Sequence, residues 1–170
     1  MTPGVLVVGY GNALRTDDGL GWHVAERLAD DPRLAGATVL RRHQLTPELA
    51  LDISEATLLV LVDASHGPPA GTISVERLEP RGDTASSGTT WSHHLTPTTL
   101  VELARELYGR APDVFVVGCG VASVEMGDEL SKEVREALPR VVDAVAELVS
   151  AGAVVGSQAT RGTVPVAQDA

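Results

Sequence analysis

The sequence predicts an α/β fold with three layers: a mostly parallel, twisted five-stranded sheet, helices on both of its faces, and one antiparallel strand near an edge. Two observations support this class. Runs of four or five aliphatic, often β-branched residues alternate along the chain with segments whose apolar residues recur at helical spacing. Glycines follow directly after the first and the last of these runs, where a strand must turn sharply.

The first strand and the first helix both lie within residues 5–28. Val5–Val8 is an apolar run of the kind that forms a buried strand, and Gly9 and Gly11 permit a tight turn after it. Beyond the turn, the period of the apolar residues becomes helical. Those on one helical face are Leu20, Val24 and Leu28, with Trp22 and Ala25 beside them. This stretch therefore predicts a strand–turn–helix unit.

The middle of the chain predicts a strand over 37–40, a helix over 46–54 with Thr46 as its N-cap, and a buried strand over 58–62. The connection 63–71 has nine residues, including two glycines and two prolines. A parallel crossover needs a dozen or more residues, so we predict that residues 72–77 form the antiparallel strand. Residues 79–92 are rich in Gly, Ser and Thr, which predicts a long, mobile loop of a kind that often carries function.

The last third of the chain predicts a helix, a strand and a helix. Thr96 and Pro97 begin a helix that ends near Tyr108, and residues 114–117 form the last strand. Ser131 is positioned to cap the final helix. The predicted inward-facing residues are Leu100, Leu103, Ala104 and Leu107 in the first helix and Val134, Leu138, Val141, Val142, Val145 and Leu148 in the second. We predict one domain over residues 1–150 and a disordered tail over 151–170.

Composition limits the classes of partner. With 13 basic and 23 acidic residues, the net charge of −10 argues against nucleic acid or an anionic membrane as a partner and favours a cationic segment or a metal ion. The single cysteine, Cys119, precludes an internal disulfide and fits a reducing compartment. The N-terminus lacks a basic region followed by a long apolar stretch. We therefore expect a cytoplasmic protein.

Side chains suited to metal binding or acid–base chemistry lie near three predicted strand ends or in adjoining loops. Asp17 and Asp18 follow the first strand, Asp63 follows the third, and His93 and His94 precede a helix. Open α/β sheets place their ligand sites at the carboxyl ends of strands. Two carboxylates and an imidazole would suit a divalent first-row metal and leave coordination positions open.

Each of these residues also has a purely structural explanation. Asp17 can cap the first helix, Asp18 can interact with the helix dipole, and Asp63 can form an Asx turn. Paired histidines in a Ser/Thr-rich loop are commonly exposed to solvent, and the lone histidines His43 and His66 receive no role. Cys119, between two glycines after a buried strand, fits a small core residue.

The glycines also allow a weaker interpretation as a dinucleotide-binding site. Residues 9–14, GYGNAL, begin like the dinucleotide fingerprint but lack its third glycine. The acids that follow would repel a pyrophosphate, and after the second predicted strand the sequence Arg41-Arg42-His43 offers no acid for a ribose hydroxyl. We therefore expect no bound nucleotide.

Taken together, the motifs resemble the hydrogenase maturation proteases, which process the large subunit of nickel–iron hydrogenases. Residues 9–21, GYGNALRTDDGLG, are similar to the family signature GxGNxLxxD(D/E)GxG, and residues 62–64, VDA, match its second acidic motif. Residues 92–97, SHHLTP, resemble its histidine motif, whose spacing selects His93 over His94. Residues 127–134 resemble the start of the family's last helix. One departure is that residues 120–123, GVAS, lack the proline that is usual in this turn.

This resemblance implies an endopeptidase that removes a C-terminal extension from the nickel-loaded precursor of the hydrogenase large subunit. It assigns Asp18, Asp63 and His93 as catalytic residues that bind nickel brought by the substrate. Asn12 and the amides around Gly11 would orient the acids or hold the substrate, and Asp17 would support the site or contact the substrate. Either the metal or a carboxylate would activate water. We also expect a monomer; the alternatives are a non-catalytic chaperone that binds nickel or the precursor, and a nucleotide-binding module.

Overall fold

The structure is a computed structural model that describes residues 4–79 and 95–159. Its strands are β1 (Gly4–Tyr10), β2 (Thr38–Arg42), β3 (Ala56–Ser65), β4 (Ile73–Leu78) and β5 (Asp113–Gly120). Its α-helices are α1 (Leu20–Ala29), α2 (Leu49–Glu55), α3 (Pro97–Tyr108) and α4 (Lys132–Ala159), and short 3₁₀ turns cover Thr16–Gly19 and Pro32–Leu34. Among the helices of these residues, none has the length and apolar character needed to cross a membrane.

The five strands form one sheet in the order β2-β1-β3-β5-β4. All neighbouring pairs are parallel except β4 and β5, so the antiparallel strand lies at the edge, as predicted. The carboxyl ends of β1, β3 and β5 meet at the same edge of the sheet because Gly9 pairs with Val62, and Asp63 pairs with Gly118. This edge contains the predicted acids.

Alternating residues of the strands face two separate hydrophobic cores. On one face, Val7 and Val60 pack with the apolar residues of α1 and α4; on the other, Val8 and Leu59 pack with those of α2 and α3. Helices therefore cover both faces, and the predicted three-layer α/β class is confirmed.

Several element boundaries differ from the predictions. Strand β3 continues to Ser65, so Asp63 lies within the strand and not after it. Helix α2 begins at Leu49 instead of Thr46, because Thr46 and Pro47 form a turn whose carbonyl groups accept hydrogen bonds from residues three further along. Leu107, predicted to face inward, is 59% exposed in the last turn of α3.

The last helix is longer than predicted. Helix α4 continues to Ala159, so the prediction of a disordered tail is wrong for residues 151–159. Extension of an existing helix requires no new nucleus, and this segment contains three alanines and no proline. Residues 160–170 lie outside the described part of the chain, as does most of the predicted loop 79–92.

Candidate active site

Asp63 lies on β3, beside the carboxyl end of the neighbouring strand β1. The hydroxyl of Tyr10, the last residue of β1, donates a hydrogen bond to Asp63 Oδ2 over 2.9 Å. Because Tyr10 is only 9% exposed, this bond is formed largely out of water. The sequence analysis gave Tyr10 no role. The available signal was an aromatic residue with a polar tip at the end of a buried strand, in a chain with only 3% aromatic residues.

The surroundings of Asp63 make its proton unusually hard to remove. Burial is the main cause that raises the pKa of Asp63 to about 6, and the negative charge of Asp18 acts in the same direction. Hydrogen bonds from Tyr10 and from the amide of Ala64, together with the charge of His66, oppose the rise.

Asp18 is held by the turn that precedes α1. The amide of Asn12 donates to Asp18 Oδ2 over 3.1 Å, and Asn12 Oδ1 accepts from the amide of Leu14 over 2.9 Å. Gly11 has φ +144, and a Cβ atom built on it would lie 1.9 Å from the carbonyl oxygen of Asp18. The turn therefore requires glycine at this position.

The predicted roles of Gly11 and Asn12 become more specific. The amide of Gly11 donates to the carbonyl of Arg42 over 3.1 Å, and the amide of Asn12 donates to the carboxylate of Asp18. Both amides thus have partners within the protein. Of the two predicted roles, orienting an acid is the one that the structure shows for Asn12.

Asp17 is a buried structural carboxylate. Its oxygens accept hydrogen bonds from the amides of Ala122 (2.8 Å), Ser123 (3.1 Å) and Ser131 (2.7 Å), and from the Ser131 hydroxyl (2.8 Å). Burial raises its pKa, but these donors outweigh burial and hold the pKa of Asp17 below its ordinary value.

The predicted roles of Asp17 as a helix cap and a substrate contact are therefore corrected. Neither the 3₁₀ turn nor α1 has a side-chain cap, and the exposed fraction of Asp17 is 0%, so its carboxylate cannot reach a substrate in this conformation. Asp17 instead connects the turn before α1 to the segment between β5 and α4. Ser131 stands just before α4 as predicted, but its hydroxyl is directed to Asp17.

The departure from the family motif at Ser123 has a structural counterpart. The resemblance places a proline in this turn, and proline has no amide hydrogen to donate. Here the amide of Ser123 is one of the donors to Asp17. The missing proline therefore leaves the chain with one more hydrogen bond to its buried carboxylate.

The third predicted ligand, His93, lies outside the described residues, as does His94. Within residues 4–79 and 95–159, no group of three or more His, Cys, Asp or Glu side chains is arranged to hold a metal ion. The structure thus places Asp63 beside the carboxyl end of β1 and Asp18 in the turn that follows this strand, while the position of His93 stays a prediction. Cys119, by contrast, is fully buried and belongs to the core, as its structural explanation predicts.

Solved structures of hydrogenase maturation proteases share this fold. The chain is 29% identical to the hydrogenase 2 maturation peptidase of a Thaumarchaeota archaeon, with a TM-score of 0.66 over 85% of this chain and 97% of that protein. It is 25% identical to the [NiFe] hydrogenase maturation protease HycI of Thermococcus kodakarensis KOD1, with a TM-score of 0.64 over 86% of this chain and 92% of that one.

The hydrogenase maturating endopeptidase HybD of E. coli, 22% identical, has the same fold, with a TM-score of 0.67 over 84% of this chain and 89% of that protein. No protein-family model and no curated protein sequence matches the chain. The likeness consists of the fold together with sequence motifs that place two acids at one edge of the sheet. On this basis the chain is similar, in fold and in motifs, to the hydrogenase maturation proteases.

Proposed function

We propose that this protein is an endopeptidase that removes the C-terminal extension from the nickel-loaded precursor of the large subunit of a nickel–iron hydrogenase. One observation carries the proposal: the Asp63 carboxylate lies beside the carboxyl end of β1, where it accepts from Tyr10, and the Asp18 carboxylate is held by the Asn12 amide in the turn that follows the same strand. This is where open α/β sheets place their ligand sites. The proposal includes a monomeric enzyme that acts in the cytoplasm, both of which are expectations from the sequence.

In this proposal, nickel arrives as part of the substrate. Carboxylate oxygens and an imidazole nitrogen are suitable ligands for a divalent first-row metal, and two neighbouring carboxylates favour a cation. Asp18, Asp63 and His93 would bind open positions on the nickel ion and so bring the adjacent peptide bond into the site. The assignment of His93 rests on its sequence motif.

Hydrolysis requires a water molecule to attack the scissile carbonyl and a base to accept the proton of that water; the base then returns the proton to the leaving amine as the C–N bond breaks. The carboxylate oxygen of Asp63 that does not bind nickel would accept this proton; in the free protein the pKa of Asp63 is about 6, closer to neutrality than that of an ordinary aspartate. At neutral pH its carboxylate is ionised and is a stronger base than an exposed one. The nickel ion would polarise the carbonyl oxygen at the same time.

The proposal is tested by the intact mass of the nickel-loaded precursor before and after incubation with the protein. We expect the wild-type protein to remove the extension. Asp18→Asn, Asp63→Asn and His93→Ala should each slow cleavage by about a hundredfold or more while retaining the fold, as judged by circular dichroism. Asp52→Asn is the control, since Asp52 is an exposed acid on α2.

Two outcomes would contradict the proposal. Cleavage at the wild-type rate by both aspartate variants would exclude the two carboxylates from the reaction. Binding of the precursor by the wild-type protein without any change in its mass would identify a non-catalytic chaperone instead of a peptidase.

A further inference from the structure

Two large apolar side chains are exposed on loops beside the candidate site. Leu14 is 61% exposed, and Met126 is 81% exposed, the highest value for a large apolar residue in the part of the chain that the structure describes. Scattered exposed apolar residues are common on protein surfaces. These two are different because their loops are held next to each other. We call Leu14 and Met126 the apolar rim.

Backbone hydrogen bonds join the loops of the apolar rim. The amide of Gly127 donates to the carbonyl of Leu14 over 2.9 Å, and the amide of Thr16 donates to the carbonyl of Gly127 over 2.8 Å. The Thr16 hydroxyl also donates to the carbonyl of Glu125 over 2.6 Å. Thr16 has φ +49, a left-handed backbone conformation that is uncommon for residues other than glycine and that the surrounding hydrogen bonds hold in place. The two apolar side chains are therefore presented on an ordered surface.

The apolar rim is directly connected to one of the candidate catalytic acids. Asn12 accepts from the amide of Leu14 through its side chain and donates to Asp18 through its own amide. The amide of Asp18 in turn donates to the carbonyl of Arg15 over 3.0 Å. A chain segment that lies on Leu14 would therefore be close to Asp18.

The surface around the rim is acidic. Glu125, Asp128 and Glu129 are exposed, and none of them forms an ion pair with a residue in the described ranges. Two guanidinium groups lie among these acids: Arg15 Nε donates to the carbonyl of Val124, and Arg135 Nη2 donates to the carbonyl of Leu130. This charge pattern is complementary to lysine or arginine side chains on a partner.

We propose that the apolar rim docks a segment of the substrate protein that presents an apolar side chain flanked by lysine or arginine. The inference rests on the proposed function, since it takes the docked segment to belong to the precursor that is cut. A few large side chains at the centre of an interface usually supply most of its binding energy. Leu14 and Met126 are such side chains, and the acids around them select the basic flanks.

The test compares steady-state cleavage of the nickel-loaded precursor by variants of the full chain. The double variant Leu14→Ser/Met126→Ser should raise KM by about tenfold or more, because two apolar contacts are lost, while kcat stays within about twofold of wild type. Leu107→Ser is the matched control: Leu107 is 59% exposed but precedes β5, at the opposite end of the sheet. Its KM should be unchanged.

The charges are tested by the triple variant Glu125→Gln/Asp128→Asn/Glu129→Gln. Its KM should rise and should depend less on ionic strength than that of the wild-type protein. An unchanged KM in the rim variant, or a loss of kcat alone, would overturn the inference while the proposed function stands. Failure of the wild-type protein to cut the precursor would instead overturn the proposed function itself.

Discussion

At the scale of single residues, the charge of Asp63 opposes folding in the free protein. Its pKa is raised from 3.8 to about 6, so the folded state binds the proton more tightly than the unfolded state does. Below the unfolded pKa the group is neutral in both states and the penalty is absent. As the pH rises from 3.8 to about 6, the ionised carboxylate lowers the free energy of unfolding by an increasing amount, and this loss is complete above about 6. The ionised Asp63 side chain therefore lowers the stability of the protein, as expected for a residue whose role is in function and not in folding.

We predict that Asp63→Asn stabilises the free protein near neutral pH while it slows cleavage. The asparagine oxygen can still accept from Tyr10, but the buried charge is gone. A shift of about two pKa units corresponds to roughly 3 kcal/mol, which is the upper limit of the expected gain. Urea denaturation near pH 7.5 measures it, and the gain should shrink near pH 4.5. Equal stabilities of variant and wild type at both pH values would contradict this account.

Tyr10→Phe provides a second test at this scale. The hydrogen bond from Tyr10 favours the ionised carboxylate, so its loss should raise the pKa of Asp63 further above 6. The free energy of unfolding should fall by about 1–2 kcal/mol. A carbon-13 NMR titration of the Asp63 carboxyl group measures the pKa directly. Tyr108→Phe, at a residue that is 44% exposed, is the control and should leave that pKa unchanged.

At the scale of secondary-structure elements, the Asp17 carboxylate fixes the segment 121–131 against the turn before α1. Its pKa lies below the ordinary value, so its stabilising effect is complete above the unfolded pKa of about 4. The effect is lost as the pH falls through the lower, folded pKa. The hydrogen bonds to Asp17 therefore contribute to stability at neutral pH and weaken only in acid.

We predict that Asp17→Asn lowers the free energy of unfolding by about 2–4 kcal/mol near neutral pH. Asparagine has an NH₂ group in place of one carboxylate oxygen, so it cannot accept all four hydrogen bonds that Asp17 accepts. Hydrogen exchange at the amides of Ala122, Ser123 and Ser131 should accelerate. The control is Asp30→Asn, at an exposed acid after α1. Unchanged exchange at the three amides would show that Asp17 does not hold this segment.

The contact between α1 and the sheet depends on Gly21. A Cβ atom at this position would lie 2.4 Å from the carbonyl oxygens of both Tyr10 and Val62. We predict that Gly21→Ala does not fold, or folds with a displaced Tyr10–Asp63 pair and reduced cleavage. In Gly36→Ala the added Cβ has no atom within 4 Å, although φ is +86, so the loss should be limited to about 1 kcal/mol. Thermal unfolding of the two variants checks the difference.

At the scale of the whole molecule, the features that could be predicted are those that depend on residues close together in the sequence. The continuous apolar run Val5–Val8 and the helical spacing after it predict the layers, and the short link 63–71 predicts the antiparallel edge strand. The partners of Asp17 could not be predicted because they lie 105–114 residues away. The Tyr10–Asp63 bond, between residues 53 apart, requires the register of two strands that the sequence does not specify.

The proposed source of the metal makes a prediction about the complete protein. If nickel comes with the substrate, the free chain folds around its two hydrophobic cores without any ion. Dialysis against a chelator should leave its midpoint of thermal unfolding unchanged, whereas removal of nickel from the precursor should stop cleavage. A lower midpoint after chelation, restored by added nickel, would show that the protein holds its own metal.

Because Asp17 and its partners are far apart along the chain, their hydrogen bonds form late while the protein is being synthesised on the ribosome. A nascent chain that ends before Ala122 already contains Asp18 and Asp63 but has none of the four donors to Asp17. Domains fold from the N-terminus as the polypeptide emerges. Here the motif at residues 9–21 has all four hydrogen bonds to Asp17 only after residue 131 has been added. The turn that contains Asp18 therefore completes its buried contacts only late in translation.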